Sequence, residues 1–226
     1  MKEKYLGGYL TNDGNSKEII KSRIAKGYAV LAQMTAFLND IPLGKRRVEV
    51  GLTLRKAWFL NGCLFNSEVW NGFSTKDTNE LEVIDHSIMR LIVGAQSKVP
   101  IEMLYIETAE MPVKYVMSVR RILYLQTLLK RHDSEITKKV YEAMKENPLK
   151  CDWIELIKED LKLVGCEQMS DDVIKSMTKI EFKNIIKKRL RVHATNKLES
   201  LKQTHKKVKQ IKHINTSTPQ KYLNKW

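Results

Sequence analysis

Cysteine is scarce in this chain: Cys63, Cys151 and Cys166 are odd in number and lack C-x-x-C spacing. That argues against a disulfide framework and for a reducing, intracellular setting. Glycine (10) and proline (5) are sparse across 226 residues, whereas Leu, Ile, Lys and Glu abound, which favours helices. No run of about 18 apolar residues occurs, so no transmembrane helix is expected. The charged N-terminus has no apolar signal-peptide region. Catalytic signatures are missing as well. There is no Y-x-D-D box to hold paired metal ions, no glycine-rich phosphate loop, no H-E-x-x-H and no nucleophile–base–acid set. No zinc, nucleotide or haem ligand set can be assembled, so the chain alone is expected to carry no catalytic residue, metal or cofactor.

What is abundant is positive charge, and it is unevenly placed. The net charge is +14, with a hydrophobic fraction of 42% that suffices for a sizeable core. From Val173 onward, 15 lysines and arginines face two acidic residues, a net +13, which leaves +1 for the first 172 residues. A near-neutral body with a basic C-terminal segment points to a polyanionic partner, or to a solvated basic tail with none.

The first stretch, Lys4 to Asn15, reads as one short strand through Tyr5, Leu6, Tyr9 and Leu10, with Gly7 and Gly8 in its middle and a turn at Asn12-Asp13-Gly14. A helix follows instead of a second strand. The strand's backbone groups therefore lack a downstream partner, which implies fraying or a sheet encoded upstream. Asn15 or Ser16, with Glu18, caps the first helix. Its inward row is expected to be Ile20, Ile24, Tyr28, Leu31 and Leu38. Lys17, Lys21, Arg23 and Lys26 lie on the exposed side, either as a solvated face or as phosphate contacts.

A second helix is expected from Leu43 to Asn61. It opens on Lys45, Arg46 and Arg47, cations at the positive end of a helix dipole, which want an anionic neighbour or solvent. The segment from Lys56 to Asn71 reads as core. Ser74 and Asp77 cap a third helix with an inward stripe of Leu81, Ile84, Asp85, Ile88, Leu91 and Ile92, closed by Gly94. His86 shares its helix face with no nucleophile and reads as an ordinary helix histidine. Gln96–Pro112 reads as a loop. Val113–Arg131 is apolar on nearly every side, and a buried arginine at 120 or 121 needs a carboxylate. Ile136, Val140, Tyr141 and Met144 should face inward on the next helix, and Ile154, Ile157, Leu161 and Val164 on the one after. Thr178 and Glu181 form a capping box that opens a long helix. Its inner row starts Phe182, Ile185, Ile186, Leu190, beside a row of Lys179, Lys183, Lys187 and Arg191, with Lys188 and Arg189 adding charge. Like charges at this spacing repel unless an anion relieves them. Lys206, Lys207 and Lys209 continue the basic character.

Several of these stretches resemble one family. Tyr5-Leu6-Gly7, the Asp13-Gly14 turn and the helix reading E-I-I-K-S-R-I resemble the primer grip and first thumb helix of reverse transcriptases from non-LTR (LINE-type) retrotransposons. Gly62, Leu64-Phe65, Glu68 and Trp70 resemble the family's L-L-Y-G-S-E-x-W region. Ser97 to Pro112 resembles S-K-x-P-x-E-x-L-Y-x-E-T-G-x-x-P, with Ala109 where the family has glycine; alanine disfavours positive φ there. His205–Lys209 and Gln220–Leu223 resemble S-K-x-K-x-I-x-Y and Q-x-Y-L. The family's following Cys/His zinc knuckle has no counterpart here.

The resemblance implies a mainly α fold: a multi-helix thumb-like bundle with one short N-terminal strand and a long basic C-terminal helix and tail. It divides the chain into the end of the palm (1–15), thumb helices (16–94), a helical connector domain (95–172) and a basic helix with a partly disordered tail (173–226). It implies a template/primer-binding fragment of an RNA-directed DNA polymerase, not competent alone. The parent enzyme would use Mg2+, with RNA, RNA/DNA template-primer and the rest of the polymerase chain as partners and no membrane. It would reside in the nucleus or in a cytoplasmic ribonucleoprotein. Tyr5, Leu6 and Gly7 would support the primer end. The lysines and arginines named above, including Lys45, Arg46 and Arg47, would contact nucleic acid. The alternative is a self-standing basic helical nucleic-acid-binding or scaffold protein derived from a mobile element.

Overall fold

Long stretches without glycine or proline become helices. The computed structural model describes residues 2–5, 8–11, 16–71, 74–147 and 152–204, among which nine α-helices form. They are α1 (Lys17–Asn39), α2 (Lys45–Leu54), α3 (Thr75–Val93), α4 (Ile101–Thr108), α5 (Val113–Leu129), α6 (Ile136–Glu146), α7 (Asp152–Leu163), α8 (Asp171–Ser176) and α9 (Lys179–Thr204). The mainly α expectation holds.

The N-terminal strand differs from its expected form. Lys2–Tyr5 (β1) pairs antiparallel with Gly8–Thr11 (β2), in the register Lys2 to Thr11 and Tyr5 to Gly8. The run read as one strand is thus two, and the missing partner is the residues immediately before it.

The chain divides into two compact units, each drawn from separated stretches. One comprises Met1–Ile20, Asn66–Ser74 and Tyr115–Leu190; the other comprises Lys21–Phe65, Thr75–Lys114 and Arg191–Trp226.

In the second unit the core is Ile24, Val30, Met34 and Leu38 of α1 with Phe59, Leu64, Leu81, Ile84, Ile88 and Ile92. Tyr28, expected inside, is 47% exposed, because Gly27, Val30 and Met34 hold the inner face instead. Gly51 lets α2 and α3 approach closely, since a Cβ there would sit 2.7 Å from Ile92. The expected single helix over 43–61 is α2 followed by a π-helix over Arg55–Asn61. Gln96–Pro112, read as a loop, contains α4. Pro100 stands just before its first residue, where a missing N–H is harmless. Helix α4 ends on Ala109 at φ 57°, ψ 26°, the left-handed conformation usually given to glycine. Gly94 closes α3 at φ 69°, as its position after the stripe suggests.

In the first unit α5 supplies Met117, Ile122, Leu125, Leu128 and Leu129 to the core, joined by Trp153, Ile157, Ile174, Phe182 and Ile186. The arginine at 121 finds its carboxylate: Nε and Nη2 donate to Asp160 at 2.6 and 3.0 Å, both side chains buried. Gln126 donates to the carbonyls of Ile174 and Met177, tying α5 to the end of α8, a short helix that no sequence signal singled out. Thr178 and Glu181 form the expected capping box, each backbone N–H bonded to the other's side chain at 2.8 and 3.2 Å. On α6 only Tyr141 of the expected inner row is buried. Ile136 (77% exposed) and Val140 (52%) instead flank an apolar groove of about 270 Å³, floored by Tyr124, Tyr141 and Trp153.

Candidate nucleic-acid interface

Four groups of cations carry the sequence-derived site. On α1, Lys17, Lys21 and Lys26 are exposed and Arg23 is half-buried. Arg23 Nη1 and Lys26 Nζ both donate to the carbonyl oxygen of Gly62, each at 3.2 Å. Gly62 follows the last residue of the π-helix, where unpaired carbonyls gather negative charge, so two cations settle there for a physical reason. The Arg23 guanidinium carbon also lies 5.7 Å from the centroid of the Phe65 ring. A Cβ on Gly62 would stand 2.3 Å from the Trp58 carbonyl oxygen, which explains why this position holds glycine. The thiol of neighbouring Cys63 is fully buried, and burial raises its pKa against the opposing pull of Lys26 and Arg23, so it is no ready nucleophile.

The triplet at the start of α2 separates. Lys45 is exposed and pairs with Glu49 at 3.8 Å, and Arg46 is exposed. Arg47 is buried, and its guanidinium donates to Leu38 O, to Ile41 O at 2.9 Å and to Leu91 O at 2.9 and 3.3 Å. Leu38 and Leu91 lie in the last turns of α1 and α3, where helix carbonyls lack intrahelical partners. Arg47 therefore ties two helix C-termini together in place of the phosphate contact expected from its position.

On α9, Phe182, Ile186 and Leu190 are buried, so the helix docks one face as expected. Lys179, Lys183, Lys188, Arg189 and Arg191 are exposed, and Lys187 is half-buried. Tyr5 ends β1; Leu6, Gly7, Lys206, Lys207 and Lys209 lie outside the described residues.

A charged cluster in the second unit went unread as such in the sequence. Asp85, wholly buried, accepts from Arg55 Nε at 2.7 Å through Oδ1. Through Oδ2 it accepts from Arg55 Nη2 (3.0 Å), the Tyr105 hydroxyl (2.7 Å) and the Val113 backbone N–H (2.9 Å). Arg55 also donates to Glu110 at 2.9 Å and to the Met111 carbonyl at 2.8 Å. Burial alone would lower the Arg55 pKa, but Asp85, Tyr105 and Glu110 outweigh it and raise it. Burial, and then Asp85, raise the Tyr105 hydroxyl far above its ordinary value, so it stays a donor. Glu110 is raised by burial against the opposing pull of Arg55. Arg55 and Asp85 are buried with both Asp85 oxygens engaged, and only Glu110, 35% exposed, reaches the surface, so the cluster is a structural tie. The signal for it was a carboxylate within an apolar stripe, at Asp85.

Among the described residues no group of three or more His, Cys, Asp or Glu side chains could hold a metal ion, and no helix is long and apolar enough to cross a membrane. Comparison with protein-family models, with curated proteins and with solved structures gave no match for this chain.

Proposed function

We propose that the chain is the template/primer-binding thumb and connector portion of an RNA-directed DNA polymerase of the non-LTR retrotransposon type, unable to polymerise alone. The observation that carries this reading is the ordered run of motif resemblances through the chain, from Tyr5 to Leu223. Two features of the fold support it. Gly62, one of the resembling positions, is where Arg23 and Lys26 converge. Tyr105, within the most specific resembling stretch, donates to Asp85 in the tie that holds α3 and α4 together. The cations left facing outward on α1 and α9 then contact phosphates. This interaction positions nucleic acid without reading its sequence.

The charge asymmetry favours a second reading, a self-standing helical protein whose basic C-terminal segment alone binds nucleic acid. The two are separated by titrating binding of RNA and RNA/DNA hybrid against salt in the unaltered chain and in a variant. The variant lacks residues 205–226 and has the exposed Lys179, Lys183, Lys188, Arg189 and Arg191 changed to Gln, which keeps the buried face of α9. The polymerase reading expects affinity to fall about 0.7–0.9 log units per log unit of salt for each phosphate neutralised, with part of that slope surviving in the variant. Loss of all binding by a variant that melts as the unaltered chain does supports the second reading. A flat salt response in the full chain refutes both.

A further inference from the structure

The turn after the π-helix has the parts of a nucleotide site. Cys63 and Leu64 are completely buried and fix the turn, yet the next residue, Phe65, leaves 49% of its surface exposed. A large ring in solvent on a fixed backbone loses little freedom when something stacks on it. The Arg23 guanidinium lies over that ring, 5.7 Å from its centroid. The ammonium of Lys26 is exposed and gives one N–H to Gly62 O, three residues before Phe65. An ammonium has three such donors, so an anion can be accepted without breaking that bond. The Gly62 carbonyl thus gathers two cations, one of them over an exposed aromatic ring. A cation with such a ring is the pairing by which proteins take up a phosphate and an unstacked base.

We propose that Phe65 and Lys26 form a single-nucleotide site for unpaired RNA or DNA, with the base stacked on the Phe65 ring and an adjacent phosphate on Lys26 Nζ. The proposal rests on the nucleic-acid reading above and sharpens it, because a stacking platform selects single strands over duplex. A paired base is already stacked on its neighbours and has no free face to offer.

The test uses the full chain, a single-stranded 12-nucleotide RNA and a blunt RNA/DNA hybrid with the same number of phosphates, followed by fluorescence anisotropy. Phe65→Ala is expected to weaken single-strand binding about 5- to 150-fold, the range of one lost base stack. It should leave hybrid binding within about two-fold and the salt slope unchanged, since stacking releases no counterion. Lys26→Gln should reduce the single-strand salt slope by about 0.7. Phe65→Trp should retain affinity, and its added emission over the unaltered protein should be quenched by the single strand. Single-strand binding by Phe65→Ala within two-fold of the unaltered protein overturns the proposal. So does an equal loss on the hybrid, or unquenched emission from Phe65→Trp. If the unaltered protein binds neither probe, the nucleic-acid reading itself falls.

Discussion

Replacing Asp85 with asparagine tests the structural tie most directly. The side chain keeps its shape but loses its charge and one acceptor. Oδ2 now serves three donors, from Arg55, Tyr105 and Val113, while Oδ1 serves Arg55 Nε. Whichever way the amide is turned, its NH2 faces an N–H or O–H that donated before. The buried Arg55 charge is left with Glu110, which is 35% exposed, and a carbonyl. Breaking a buried pair from one side typically costs about 3–5 kcal/mol, a large share of a total stability of about 5–15 kcal/mol. For a chain of this size that lowers the melting temperature by about 6–20 °C. Amides of α2, α3 and α4 that exchange through opening of the second unit should exchange about 150- to 5,000-fold faster. Removing both charges with Arg55→Met and Asp85→Leu should cost less than Asp85→Asn alone. The double variant strands the Tyr105 hydroxyl and the Val113 N–H, and takes one donor each from the part-exposed Glu110 carboxylate and the Met111 carbonyl. It leaves no buried unpaired arginine, however, and a well-packed apolar pair of similar volume is often as stable as the ion pair. A loss under about 1 kcal/mol for Asp85→Asn, or a double variant costing the sum of the singles, would refute the reasoning.

Three further outcomes are expected. Ala109→Gly should raise the unfolding free energy by about 0.5–1 kcal/mol, read as a higher denaturant midpoint, because alanine at φ 57° bears a left-handed penalty of about 1–2 kcal/mol that glycine escapes, less glycine's extra chain entropy; an unchanged or lower midpoint counts against it. Gly62→Ala should destabilise by about 1–3 kcal/mol, since the new Cβ has no room beside the Trp58 carbonyl; a neutral result in chemical denaturation argues otherwise. His86 titrates below its ordinary range because burial outweighs the pull of Asp85 and Glu82. The unfolded chain therefore binds more protons than the folded one as pH falls below about 6.5, and stability that is full above that value is lost on acidification. His86→Gln should shrink this loss between about pH 7 and pH 5 in thermal melts; an identical slope in both proteins rejects it.

Much of the helix layout was legible because apolar spacing is a direct record of burial. The α3 stripe and the inner row of α9 followed from spacing, and the Thr178–Glu181 box from residue types. The need for a carboxylate at 120 or 121 followed from the cost of burying a charge, although which arginine and which carboxylate met it was not legible. The failures have physical causes. Two prolines made Gln96–Pro112 look like a loop, although Pro100 sits where a helix tolerates it. Tyr28 and Val140 have the spacing of core residues, but periodicity gives a helix face without saying what covers it. The π-helix changes register through backbone bonding that no residue type announces. Arg47 read as a surface cation because its partners are carbonyls at the ends of α1 and α3, brought together only by the fold. At the candidate site, residue types located Arg23 and Lys26, but their convergence on Gly62 O depends on packing 36 and 39 residues apart.

The Arg55 tie also has a timing. Asp85 emerges 30 residues after Arg55 during synthesis, and Glu110 emerges 55 residues after it. At about 5–20 residues per second, Glu110 is made about 3–11 s after Arg55. Until Asp85 emerges, Arg55 has neither of its carboxylate partners, and Phe59 and Leu64 are made before Leu81, Ile84, Ile88 and Ile92 of α3, which share their core. For those 30 residues the nascent chain presents an apolar stretch beside an unpaired arginine, a segment suited to capture by a chaperone. The tie is complete only once Val113 has been made.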